Sequence, residues 1–303
     1  MNTQYWENKF NRWALGPSQT EQDKANRAER MVRDAITSYA PLNTREIRVF
    51  SQGSYRNRTN VRADSDVDIC VLSKAGFYGD YSLVPGVGNQ SLGYTDASYT
   101  LHNLKADVEA ALKAHFGAPA ITRGDKAFDV RENTSRIAAD VVPAFEGRLF
   151  FRNGLGLQYH SGAVLQCASN SQLIYNWPEQ HYANGVSRHE STGQQFKKKA
   201  RCLKNLRYEM ADGGSASAKA MSSFLLESLV YNCPDATFQH PSHLEDMKAV
   251  IIHLWDATKE EACEKTMVEV NGIKYLFHST QGWNRAATRT FLQDAWNHVG
   301  FGT

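Results

Sequence analysis

The 303-residue sequence contains no C-x-x-C pair and no long apolar run. Its five cysteines, Cys70, Cys167, Cys202, Cys233 and Cys263, are odd in number and widely scattered. That excludes a zinc site of the usual spacing and a disulfide framework, leaving reduced thiols of a cytosolic protein as the expectation. No segment approaches the roughly 20 apolar residues of a membrane helix, and the start, MNTQYWENKFNRW, lacks the apolar stretch of a signal peptide. Neither charge dominates: 34 Lys and Arg against 32 Asp and Glu give a formal charge of +2. A dedicated nucleic-acid binder would carry more, although a local basic patch remains open. Repeats and low-complexity tracts are missing too. What is present, 42% hydrophobic and 11% aromatic residues, belongs to an ordinary globular protein long enough for two lobes.

Residues from about Thr20 to Tyr39 place Ala28, Met31, Val32, Ala35 and Ile36 at helical spacing, with Thr20 and Asp23 as a candidate helix start. REIRVFSQ (Arg45 to Gln52), VDICVL (Val67 to Leu72) and SRIAADVVPAF (Ser135 to Phe145, stopped by Pro143) read as strands. A Gly- and Tyr-rich loop (Gly76 to Thr100) and a helix (Leu101 to Phe116) lie between the last two. Beyond Gly162 the patterns turn helical: TGQQFKKKARCLKNLRYEMA, AMSSFLLESLVYNC, Leu244–Thr258 and Arg285–His298. One β-leaning piece, TMVEVNGIKYLF, carries an Asn-Gly turn at Asn271–Gly272. The expectation is a mixed α/β first half (1–160) with an N-terminal helix, and a mainly helical second half (161–303), with the loop-rich residues around Gly147 to Gly162 as the boundary.

The chemistry concentrates in SQGSYRNRTNVRADSDVDICVL (Ser51 to Leu72). On a strand, residues two apart share a face, so Val67, Ile69 and Val71 point one way and Asp66 and Asp68 the other. Adjacent carboxylates repel, and burial adds a desolvation cost. A divalent cation removes both objections, because Mg²⁺ takes one or two carboxylates plus waters and phosphates. A bare D-x-D is also compatible with a solvated strand end. Gly53-Ser54 ends the preceding strand, where a glycine lets the backbone approach closely and a serine with the following amides can cradle a phosphate. Asp140 sits among apolar neighbours and needs a partner, either a structural cation or a metal. In combination, three carboxylates on adjacent strands can hold two metals about 3.5–4 Å apart for an in-line displacement at phosphorus.

GSYRNRTNVRADSDVDI followed by IAADVVPAF resembles the DNA polymerase beta-like nucleotidyltransferase superfamily, and more narrowly the cGAS/DncV-like nucleotidyltransferases (CD-NTases) of bacterial anti-phage signalling. HYANGVSRHESTGQQFKKKARCLKNLR and SSFLLESLVYNCP look like that family's helical second half. The resemblance spans roughly Thr20 to Trp296. It implies an α/β (α+β) nucleotidyltransferase core with a mixed sheet, a helical C-terminal lobe as in oligoadenylate synthases and cGAS, and an active site in the cleft between them. Carried over by position, Gln52, Gly53 and Ser54 would meet the donor triphosphate, while Asp66, Asp68 and Asp140 would be the catalytic metal ligands. Asp140 would also help activate the acceptor hydroxyl. Asp64 falls outside this triad, because the apolar strand starts at Val67. The zinc insertion of the animal cyclic GMP–AMP synthases is absent, which argues against DNA sensing through such a module.

Lys197, Arg201 and Lys204 recur at i, i+4 and i+7, on one face beside apolar Phe196, Ala200 and Leu203. A solvated charged face explains such a stripe, but triphosphate chemistry needs cations, so these three are candidate phosphate binders. Lys198, Lys199 and Arg207 point elsewhere. Ser223 matches a family serine that reaches the triphosphate, and Glu227 on the same helix reads as half of a structural pair. His181, His189, His240, His243 and His253 show no metal spacing. Tyr55, Tyr159, Tyr175, Tyr182 and Trp177 suit either base stacking or core packing.

The expected activity is synthesis of a cyclic di- or trinucleotide second messenger with two Mg²⁺ ions, Mn²⁺ substituting. Its substrates would be ATP with GTP, UTP or CTP as alternatives. Its product would activate a separate effector in anti-phage (CBASS) signalling, with no membrane and no obligatory nucleic acid. The rivals are a template-independent or RNA-tailing polymerase, which would want a longer basic groove, nucleotide transfer to another hydroxyl, and an inactive nucleotide-binding module.

Overall fold

The computed structural model describes residues 2–61, 66–279 and 281–302. It divides into two compact units: Ser18–Arg56 with Ala63–Pro178, built on a sheet, and Met1–Pro17 with Asn57–Arg62 and Glu179–Thr303, built of helices. Helix α1 (Thr3–Trp13) therefore belongs with the helical unit, and the division falls at Pro178 and not at residue 160. Among the described residues no helix is long and apolar enough to cross a membrane, and the five cysteines form no disulfide.

The sheet unit begins with α2 (Gln19–Ser38), which turns Ala25, Ala28, Val32, Ala35 and Ile36 into the core. Its start is Ser18, not Thr20. Ser18 Oγ accepts the Glu21 N–H and the Glu21 carboxylate accepts the Ser18 N–H, a reciprocal capping box, while Asp23 is taken by Gln19. A short α3 (Ala40–Asn43) leads to β1 (Ile47–Ser51), then α4 (Gly53–Asn57) and β2 (Val67–Asp80). Helix α5 (Leu101–Phe116), β3 (Ile121–Arg123), β4 (Phe128–Val130), β5 (Ala139–Asn153), β6 (Gly156–Gln166) and β7 (Leu173–Asn176) complete the unit. The strands run β1-β2-β5-β4-β3, with β6 and β7 added along the second half of β5. Only the central β2–β5 pair is parallel among the described pairings.

Val67, Ile69, Val71, Val141 and Phe145 join α2 and α5 in one hydrophobic core. The opposite parity carries Asp68 and Asp140, then a small apolar patch of Cys70, Leu72, Ala144 and Ala163. One face is thus buried under helices, and the other is left for the carboxylates.

Two strands outrun their sequence signals. β2 continues through Ser73–Phe77, where the register shifts, and re-pairs with β5 up to Asp80, in residues expected to be loop. β5 runs through Pro143, which was expected to end it. β4 pairs β5 as far as Val141 and β6 takes over from Phe145, so Pro143 sits in the interval where β5 has β2 alone. The glycines of 147–162, read as a boundary loop, lie mostly in the β5–β6 hairpin. A side chain on Gly162 would come within 2.4 Å of the Asn176 carbonyl oxygen and 2.9 Å of the Trp177 ring. Gly147 and Gly162 mark close strand packing, not a linker.

The helical stretch opens with α6 (Pro178–Ser191); α7 (Phe196–Asp212), α8 (Ala216–Lys219), α9 (Ser223–Tyr231), α10 (His243–Ala257) and α11 (Arg285–Val299) share a core with Trp6 and Phe10 of α1. The Asn271–Gly272 turn is present, with Gly272 at φ +69°, but its flanks make a single bridge, Val268 to Tyr275, instead of two strands.

Gly162→Ala should cost about 1–3 kcal/mol of unfolding free energy in urea titrations, because backbone and an indole ring must move. Gly154→Ala, in open space, should stay within about 0.5 kcal/mol.

Candidate active site

β1 delivers the chain to Gln52, whose N–H donates to the Asp68 carbonyl at 2.8 Å. Gly53 then adopts φ +66° and opens α4 with Ser54. The positive φ favours glycine, and so does the space: a Cβ at residue 53 would sit 2.1 Å from Asp68 Oδ2. The Gly53 backbone is exposed and abuts the Asp68 carboxylate, which joins the Gly53–Ser54 loop and the acidic strand in one site.

Asp68 and Asp140 are direct lateral partners across the parallel β2–β5 pair. Asp129 on β4 is in turn the partner of Asp140, so three carboxylates form one row on the face away from α2 and α5. Asp66, exposed, stands just before β2. Asp64 lies outside the described residues. Burial, then the charges of Asp140 and Asp66, pushes the Asp68 carboxyl up to about 7. Burial and the charges of Asp66 and Asp129 raise Asp140; burial with Asp129 and Glu132 raises Asp66. Each group resists ionising beside the others.

Among the described residues, no three His, Cys, Asp or Glu side chains already converge into a coordinating group. The donor set still suits a hard divalent cation. It consists of carboxylate oxygens alone, and their mutual repulsion is what a cation would reverse. Asp129 was missed from sequence because the three-residue Phe-Asp-Val strand gives almost no periodic signal; its register against Asp140 makes it visible.

The helical unit treats its predicted phosphate binders differently. Lys204 is 2% exposed, with Nζ 2.5 Å from Glu227 and 3.1 Å from Thr59 Oγ1. Thr59 donates to the same carboxylate at 2.6 Å, and His181 Nε2 lies 3.0 Å from its other oxygen. Burial raises the Glu227 carboxyl, but Lys204 and His181 outweigh it and hold the group well below the usual carboxylate range. Arg201 is also buried, donating to the carbonyls of Ala14 and Arg58. Both cations are engaged in binding their own chain together, which corrects the expectation that they stand open to a phosphate. Lys197 differs: it is largely buried, its ammonium is 5.9 Å from the Tyr182 ring, and it has no ion pair among the described residues. Burial lowers its proton affinity.

Lys199, expected to point elsewhere, is fully buried and 2.6 Å from Asp246. Helix α7 is buried nearly all round, so no solvated face exists to sort its charges. Ser223 is half-buried at the start of α9, its hydroxyl 3.2 Å from Tyr208. Tyr55 and Trp177 are core residues, and Tyr159 and Tyr182 are exposed.

A family model described as the cGAS/DncV-like nucleotidyltransferase C-terminal helical domain matches residues 183–300. The cyclic dipyrimidine nucleotide synthase CdnE of Legionella pneumophila is 44% identical over 294 residues, covering 97% of this chain and 98% of that protein. The enzyme of the same name from Cecembia lonarensis is 38% identical, covering 98% and 99%. Among solved structures, Rhodothermus marinus CdnE c-UMP-AMP synthase with Apcpp and Upnpp superposes at a TM-score of 0.84, with 27% identity and 98% and 97% coverage.

Without divalent cations, the raised carboxyls should make stability fall as pH rises. Between about 4, where Asp titrates in the unfolded chain, and about 7, folded Asp68 holds a proton that the unfolded chain has released. Asp68→Asn should therefore match the parent's thermal midpoint near pH 4 and exceed it by several degrees at pH 8; parallel curves would contradict the repulsion. In the helical unit, Glu227→Ala should cost roughly 3–5 kcal/mol in denaturant titrations by leaving Lys204 buried without a counter-charge.

Proposed function

The chain belongs to the cGAS/DncV-like nucleotidyltransferases, and we propose that it joins two nucleoside triphosphates into a cyclic dinucleotide containing at least one pyrimidine. One observation carries the reading: Asp68 and Asp140 oppose each other in register, with the Gly53 backbone against the Asp68 carboxylate. The base choice rests on the two dipyrimidine synthases, which are similar over nearly the whole chain. UTP and CTP are the first substrates to try, with ATP and GTP as partners.

In this reading the Ser54 hydroxyl and the amides after Gly53 receive the donor triphosphate. Glycine at 53 keeps the backbone low enough for close approach. Asp66, Asp68 and Asp140 would hold divalent cations, Mg²⁺ with Mn²⁺ as substitute, which supply Lewis acidity at the phosphate oxygens when bound. Asp140 takes the proton from the attacking ribose hydroxyl. That oxygen bonds to the α-phosphorus as the bond to the bridging oxygen breaks, and pyrophosphate leaves. A second such displacement, by a ribose hydroxyl of the nucleotide just transferred on the α-phosphorus of the acceptor's own triphosphate, closes the ring and releases a second pyrophosphate. The cyclic product would act on a separate effector in defence against phage.

Purified protein incubated with the four ribonucleoside triphosphates and Mg²⁺ or Mn²⁺, treated with phosphatase and read by mass spectrometry, should yield a phosphatase-resistant cyclic dinucleotide. A ladder of linear oligomers would favour a tailing enzyme instead. Asp66→Ala and Asp68→Ala should each lower the rate by at least about 10³-fold, and retained activity in either would remove the assigned cation ligands.

A further inference from the structure

The residues that precede the Gly53–Ser54 loop are held from a distant part of the chain. Glu29, in the middle of α2, directs one carboxylate oxygen at the end of β1, where it accepts the Ser51 N–H at 3.0 Å and the Ser51 hydroxyl. Its other oxygen accepts from Arg33 one turn later, and Arg33 also donates to the Val49 carbonyl at 2.9 Å. These bonds occupy the edge of β1 that β2 leaves open. On the inner edge, Gln52 donates to the Asp68 carbonyl. The two residues before Gly53 are thus tied on one side to a helix packed in the core and on the other to the acidic strand.

We propose that Glu29 is a positioning residue for the triphosphate loop, acting through Ser51. This rests on the functional reading given above. A carboxylate so near a polyanion site would ordinarily weaken binding. Here Arg33 offsets its charge, and a charge-assisted acceptor fixes the Ser51 amide more firmly than a neutral one would. With Ser51 held, the chain reaches Gly53 with little freedom, so the amides beyond it meet the donor phosphates already oriented. A sheet edge could be protected by any polar cover. Two bonds from one carboxylate onto the last residue of β1, two positions before Gly53, fit a loop anchor.

The test compares Glu29→Ala, Glu29→Gln and Val32→Ala with the parent protein. Val32 is buried on the same helix and touches neither Ser51 nor the loop in any hydrogen bond, so its truncation reports the effect of destabilising α2 alone. Glu29→Ala should raise the KM for the nucleoside triphosphate about tenfold while kcat falls less than about threefold. The amide oxygen of Glu29→Gln can still accept the Ser51 N–H, so both constants should stay within about threefold. Val32→Ala should lower the thermal midpoint at least as much as Glu29→Ala and leave KM unchanged. Hydrogen exchange at residues 51–54 should be at least about tenfold faster in Glu29→Ala and unaltered in Val32→Ala. Unchanged exchange would overturn the proposal. So would faster exchange with an unchanged KM, or a KM rise shared by Val32→Ala. If the parent protein makes no nucleotide product at all, the functional reading fails by itself, and the exchange result decides whether Glu29 holds the loop.

Discussion

Asp68 and Asp140 face each other across the only parallel pair described in the sheet, and their repulsion is the constraint around which the sheet unit is arranged. Two carboxylates in lateral register destabilise a sheet unless something is gained by keeping them. The fold confines the cost to one face: Val67, Ile69, Val71 and Val141 place every alternate residue in the α2–α5 core, which fixes the register and leaves no slip that would separate the acids. Burial and neighbouring charge then leave Asp68 partly protonated near neutral pH. Gly53, whose missing side chain makes room for that carboxylate, shows that the loop and the strand were shaped together.

The helical unit solves a different electrostatic problem. Lys199, Arg201 and Lys204 lie inside it, each satisfied by a carboxylate or by backbone carbonyls. Such pairs cost desolvation and seldom raise net stability, but losing one member is severe, so they enforce a particular arrangement of helices. Thr59 joins Lys204 and Glu227 from a segment only five residues beyond Ser54 in the chain, so the loop's continuation is anchored in the helical unit. Lys197 keeps the least engaged ammonium of the four.

Much of this was legible in the sequence where local chemistry decides. Alternation in VDICVL placed Asp68 opposite the core face, and Gly-Ser after a strand marked the loop. The helical stretches beyond residue 162 appear close to where their periodicity put them. What escaped depends on contacts between distant residues. Pro143 looked like a strand end, because only the handover from β4 to β6 reveals that β5 has one neighbour there. Gly147 and Gly162 looked like linker, because the groups that require them are over a dozen residues away: Val164 and Tyr175 for Gly147, the β7 backbone and the Trp177 ring for Gly162. Lys197, Arg201 and Lys204 of α7 read as a face open to phosphate, since helical period alone cannot tell a surface helix from one surrounded by others. Asp129 and Glu29 were silent for the same reason: each acquires meaning from its partner strand.

The central claim is that the opposed carboxylates form a cation site whose occupation displaces a proton. Calorimetric titration of Mn²⁺ into the protein, run at pH 6 and pH 8 in buffers of differing ionisation enthalpy, measures both binding and proton release. Binding accompanied by loss of up to about one proton at pH 6, by much less at pH 8, and by a clearly smaller loss at pH 6 in Asp68→Asn is the expected result. Mn²⁺ binding that is indifferent to pH and unaltered by Asp68→Asn or Asp140→Asn would contradict it.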